Sequence, residues 1–224
     1  PPPRLNCRRQ RQMCIRDRAF TTQLVALMVL ALKLRASRGL ADELDRELVR
    51  DLQRLPVAVE EVLRTDRALY RQGTEMLSEA TDSLYLGRGI LYPLALEGAL
   101  KLKEISYLHA EGYPAGEMKH GPIALVTDGF PVVAVATATA TREKLLGNLM
   151  EVRARGATVL AVTEPGAEEV AQVAELVLPV PEVHPLLQPI VAVVPLQMLA
   201  YNVAVELGHD VDQPRNLAKS VTVE

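Results

Sequence analysis

The sequence predicts an α/β protein with a doubly wound parallel sheet, preceded by a helical connection. Three observations lead there. Short apolar runs recur at Asp82–Leu86, Phe130–Ala136, Ala157–Thr163 and Glu175–Val180, with helical stretches between them. Strands of this length alternating with helices build βαβ units. The core residues on offer are Leu, Val and Ala, with no Trp and only 2 Phe, the palette of strands covered by helices on both faces. Glycines punctuate the ends of the runs at Gly87, Gly89 and Gly156, as turns and helix caps require.

Taken in order, residues 1–18 stand apart: six Arg, one Asp, three leading prolines and no hydrophobic period. They read as a basic tail for an acidic partner, as a disordered segment, or as foreign sequence, since the MCIRDR string resembles translated adaptor. Residues 19–36 form a strongly apolar helix that needs a packing partner, ended by Ser37-Arg38-Gly39. Ala41 to about Leu55 is amphipathic, with Leu44, Leu48, Leu52 and Leu55 on one side. Pro56 interrupts it and Val57–Arg64 continues, so the pair reads as a helical hairpin. Asp66–Glu79 is a further helix. After the first strand, the segment from Leu91 onward is a greasy helix. Thr141–Gly156 and His184–Leu207 are the remaining helices, the last bent at Pro195.

The 224 residues carry a net charge of -3 and are 49% hydrophobic, a globular composition with enough material for a core. The acidic balance argues against a nucleic-acid surface. Both cysteines, Cys7 and Cys14, lie at the extreme N-terminus, so this is no disulfide scaffold and the expected location is cytoplasmic. The four His (His109, His120, His184, His209) show no metal-ligand spacing, and no metal or cofactor is expected. The longest unbroken apolar run, Leu24–Leu32, predicts no membrane span. Gly87-x-Gly89 lacks the third glycine of a dinucleotide fingerprint. The Thr137–Thr141 run reads as a helix N-cap, with phosphate binding as the alternative.

The chemistry concentrates between Leu91 and Val126. On the greasy helix, Glu97, Lys101 and Glu104 fall at i, i+4 and i+7, on one face. One reading is a solvated ion-pair stripe. The other is a buried acid–base cluster, since a charged stripe on a buried helix needs a partner or a task. A Gly/Pro-rich loop then delivers His120 to the start of a short helix. Glu and His together suit proton transfer beside a carbonyl near neutral pH. The tail Gly208–Glu224, with Arg215 and Lys219, is either a solvated terminus or a lid carrying an amine.

Two stretches, EGALKLKEISYLHAEGYPAGEMKHGPIALV and the terminal VDQPRNLAKSVTVE, resemble the isomerase half of the glutamine–fructose-6-phosphate aminotransferase family. The resemblance covers residues 19–224. That half holds two flavodoxin-like sugar-isomerase (SIS) domains. It implies that residues 19–71 are the last helix of a first SIS domain plus a linker, that 72–208 are the second SIS domain, and that 209–224 are the C-terminal tail. It implies that Glu97 shuttles a proton between C1 and C2 of the sugar, that Lys101 assists, and that Glu104 is the carboxylate at the sugar site. His120 would open the sugar ring, reaching the neighbouring subunit of a homodimer. Lys219 would form a Schiff base with the open-chain ketose, with Ala218 beside it at the substrate. Arg215 would lie in the tail that contacts a glutaminase domain. The sequence departs from the family in two ways. It has neither the glutaminase domain with its N-terminal Cys nor the Ser/Thr-rich phosphate loop of the first SIS domain. The expectation is a C-terminal fragment that binds sugar phosphate poorly alone. Two other readings remain open: a non-catalytic sugar-phosphate-sensing SIS module, and a deglycase or sugar-phosphate isomerase with no glutaminase partner.

Overall fold

The computed structural model describes residues 6–215, with side chains from Phe20 onward. The chain begins with three helices, α1 (Asn6–Ser37), α2 (Glu43–Leu63) and α3 (Arg67–Ser78). It continues through β1 (Asp82–Gly87), α4 (Tyr92–Ser106), β2 (His109–Pro114), β3 (Pro131–Val135), α5 (Arg142–Arg153), β4 (Thr158–Thr163), α6 (Glu168–Ala171), β5 (Leu176–Pro179) and α7 (Gln188–Glu206). All strand pairs are parallel, in the order β2-β1-β3-β4-β5. The expected α/β class and doubly wound parallel sheet are therefore present. The chain reverses its winding between β1 and β3, the point at which such sheets open a crevice at their carboxyl ends.

The central strands β1, β3 and β4 are buried on both faces, and the two-residue period divides the sheet between two cores. Tyr85, Val133, Val135, Leu160, Val162 and Leu178 pack under α2, α3, α4 and α7. Leu84, Leu86, Val132, Ala134, Val159 and Ala161 pack on the opposite face, against α5 and the segment around α6. The register Val132↔Val159 and Val133↔Leu160 carries this alternation from strand to strand.

Several boundaries differ from the sequence reading. β2 is a fifth strand where a loop is expected; its middle residues are only half buried, and pairing with β1 defines it. Pro56 does not interrupt α2, and α7 starts at Gln188, not His184. The helix α1 begins at Asn6, inside the 1–18 segment that the sequence leaves without periodic structure. No Gly or Pro lies between Asn6 and Ser37 to stop it. Averaged over a window, Phe20–Ser37 and Gln188–Glu206 are both long and apolar enough to cross a membrane. An unbroken-run criterion misses this because single polar residues interrupt each segment. For α7 the character reflects its place in the core, where 72% of the window is buried. In α1, Phe20, Leu24, Val25, Met28 and Leu32 pack against the core, while Leu27, Val29, Leu30 and Leu34 face outward. Because α2 is continuous, the hairpin expected about Pro56 is absent; the turn lies between α1 and α2, where Arg35 ion-pairs with Asp42 at 3.0 Å and Asp45 at 2.8 Å.

Candidate functional site

The helix α4 follows β1 and packs against β1, β2 and α7. Two glycines bring it close. A Cβ on Gly98 would stand 2.9 Å from both Leu196 and the Tyr85 ring, so α4 packs against α7 and β1 at near-backbone distance. A Cβ on Gly112 would stand 2.6 Å from the Leu96 Cα, so β2 presses on α4 directly beside Glu97. The charged stripe is thereby drawn down among apolar neighbours.

Lys101 Nζ lies 3.4 Å from Glu97 Oε1 and 3.1 Å from Glu104 Oε2. The side chains of Glu97, Lys101 and Glu104 are only 11%, 12% and 21% exposed. Of the two sequence readings, the solvated stripe does not hold; these are part-buried carboxylates bridged by one amine. Such an arrangement sets two part-buried carboxyl groups on either side of a single amine, and any group that displaces the lysine meets a carboxyl group with little water around it.

The structure does not bring His120 to this cluster. It ends the 3-10 segment Ala115–His120, its side chain is 77% exposed, and its Nε2 lies 3.8 Å from Glu117 Oε2. The neighbouring Lys119 ties this segment to α5 through Glu151 at 2.7 Å. Arg215 is placed by Tyr107, the C-cap of α4. Its guanidinium lies 3.9 Å above the Tyr107 ring, and its backbone N–H donates to Tyr107 Oη at 2.8 Å. The edge of that ring also meets His209, with centroids 4.7 Å apart. Tyr107 has φ 62, a left-handed conformation unusual for a non-glycine. The contacts with the tail offset that cost. Ala218 and Lys219 lie outside the described residues.

A second concentration of polar groups occupies the carboxyl ends of β1, β3 and β4, where the sequence offered the Thr137–Thr141 run but not the pairing of Arg142 with Glu164 and Glu169. A cleft of about 950 Å³ opens there, lined by Gly89, Thr139, Thr141, Arg142, Glu164 and Leu186 among others. Arg142, the first residue of α5, ion-pairs with Glu164 and with Glu169 at 2.8 Å. The Glu169 carboxyl is held below its ordinary range, first by a backbone hydrogen bond and then by Arg142. Thr141 stands at the N-cap position, but its hydroxyl donates to the Arg88 carbonyl at 3.4 Å and caps nothing. The one signal in the sequence for this cluster is position: an acid directly after one strand and a base opening the helix after another. Among residues 20–215, no group of His, Cys, Asp and Glu could hold a metal ion.

Comparison with known proteins agrees with the fold. The SIS domain family matches residues 76–207. A glutamine–fructose-6-phosphate aminotransferase of Thermus thermophilus is 58% identical over 208 residues, covering 92% of this chain and 34% of that protein. The Pseudomonas aeruginosa enzyme of the same name is 52% identical over the same shares. Among solved structures, the C-terminal domain of glucosamine-fructose-6-phosphate aminotransferase from Francisella tularensis superimposes with a TM-score of 0.81 at 40% identity. That match covers 87% of this chain and 55% of that one. The chain thus spans about a third of the length of the aminotransferases it matches.

Proposed function

The chain belongs to the SIS domain family, and from that premise we propose that it is the C-terminal isomerase part of an enzyme making glucosamine 6-phosphate. The substrates are fructose 6-phosphate and ammonia released from glutamine by a glutaminase domain outside this segment. The observation that carries the reading is the part-buried Glu97–Lys101–Glu104 cluster on α4. A solvated stripe would have no use for that burial, whereas a base acting on a carbon acid does.

In this reading the Lys219 amine adds to C2 of the open-chain ketose and water leaves, forming a Schiff base. Ammonia then displaces the lysine at C2, giving the sugar imine. Glu97 takes a proton from C1 and returns one to C2, with Lys101 and Glu104 holding its charge and position. The product is the 2-amino aldose. His120 opens the sugar ring. Its exposure suits a residue delivered to the site of a neighbouring subunit, so the working unit is a homodimer, acting in the cytoplasm. Ala218 borders the substrate and Arg215 belongs to the tail facing the glutaminase domain. No cofactor takes part.

The test joins this segment to the N-terminal portion of the Thermus relative and measures glucosamine 6-phosphate formation from fructose 6-phosphate and ammonium. The chimera should turn over. Glu97→Gln should lower the rate by about a hundred- to ten-thousand-fold while retaining a borohydride-trapped sugar adduct. Lys219→Ala should lose the adduct. A folded chimera that forms neither product nor adduct overturns the proposal.

A further inference from the structure

The strand-end cleft has the donors of an oxyanion receptor, and several of them converge on one carboxylate, that of Glu164. Glu164 Oε2 accepts the backbone N–H of Ala138 at 3.1 Å, and the Thr163 hydroxyl shares its one proton between this oxygen at 3.2 Å and the Ala136 carbonyl at 3.1 Å. Arg142 closes on the other oxygen of the same carboxylate. Glu164 and Arg142 are 13% and 15% exposed, so the arrangement is built into the floor of the cleft rather than laid over it. Thr137, directly before Ala138, is fully buried, and its hydroxyl has no partner in the structure. One backbone amide, one hydroxyl and one guanidinium converging at the opening of a helix are the usual way to hold a phosphate or sulfate group.

We propose that Glu164 is a built-in plug: its carboxylate occupies the anion cradle of this domain and closes the strand-end cleft to phosphate-bearing ligands. The charge count agrees. Among the described residues Arg142 is the single cation lining the cleft, against Glu143 and Glu164, and it is also paired with Glu169. A phosphate entering there meets net negative charge. Glu164 is therefore a specificity-determining residue. It forces the phosphate of any sugar handled by α4 to be held elsewhere, and the cleft itself is left for neutral or apolar groups. The inference concerns this chain's own anion preference and holds or fails independently of the activity proposed above.

The test is inorganic phosphate binding by calorimetry and thermal shift at constant ionic strength. The unaltered chain should show neither heat nor stabilisation. Glu164→Ala should bind phosphate at least about tenfold more tightly, because one charge-assisted contact set is released. Adding Arg142→Ala should abolish the gain. Glu164→Gln, which keeps the shape and the Ala138 contact, should show a smaller gain and guards against a misfolded alanine variant. Arg142-dependent phosphate binding by the unaltered chain overturns the proposal. So does a Glu164→Gln protein with a cooperative melt and no phosphate response.

Discussion

Glu97, Lys101 and Glu104 show how far a single residue can be read from spacing. Their i, i+4, i+7 positions place them on one face, and the ion pairs follow. Their burial does not follow from spacing, because it depends on Gly98 and Gly112 letting other elements approach α4. Tyr70 gives the clearest prediction at this scale. It is 4% exposed, its hydroxyl has no partner, and burial pushes its phenol up to about 12 from 10.0. A raised phenol favours the neutral form in the folded state. That contribution is intact below pH 10 and is lost as the pH rises from 10 to about 12. Tyr70→Phe removes a desolvated hydroxyl and should leave stability unchanged or raise it by up to about 1 kcal/mol. It should also flatten the alkaline decline between these pH values. Urea unfolding at pH 7 and at pH 11 measures both; a loss of stability at pH 7 would mean that the hydroxyl has a partner in solution.

At the scale of elements, β2 separates what local pattern can show from what pairing supplies. Four strands are legible as buried apolar runs. β2 carries Glu111, Gly112 and Pro114, and reads as a loop until its pairing with β1 is seen. An edge strand tolerates these residues because one side needs no ladder partner. Its contact with α4 sets the height of Glu97 above the sheet. Gly112→Ala places a methyl against the Leu96 backbone, which cannot rotate away, and should cost about 3 kcal/mol. Unfolding in urea checks the stability. In the chimera described above, activity should fall further than the remaining folded fraction, because α4 itself must shift.

At the scale of the whole molecule, α1 is the least satisfied part. Its inner residues reach the core, yet Leu27, Leu30 and Leu34 are each about half exposed or more on its outer side. An apolar face of this kind is not stable alone in water and drives association. Changing Leu27 and Leu34 to Glu should shift the chain toward monomer in sedimentation velocity, and should move Tm by no more than about 2 °C, since neither side chain contributes to the core. Association that persists in this variant would place the contact on another surface.

The sequence alone determined the fold class, the helical connection, the two-faced burial of most strands and the residues of the charged stripe. Each of these rests on local period and composition. Tertiary structure decided the strand order, the fifth strand, the burial of Glu97 and the separation of His120 from it. It also decided the meeting of Arg142 with Glu164, 22 positions apart and linked only through the β3–β4 register. Distance between side chains on different elements depends on which strands pair and how closely helices pack. That information resides in contacts between segments, and no pattern within a single segment carries it.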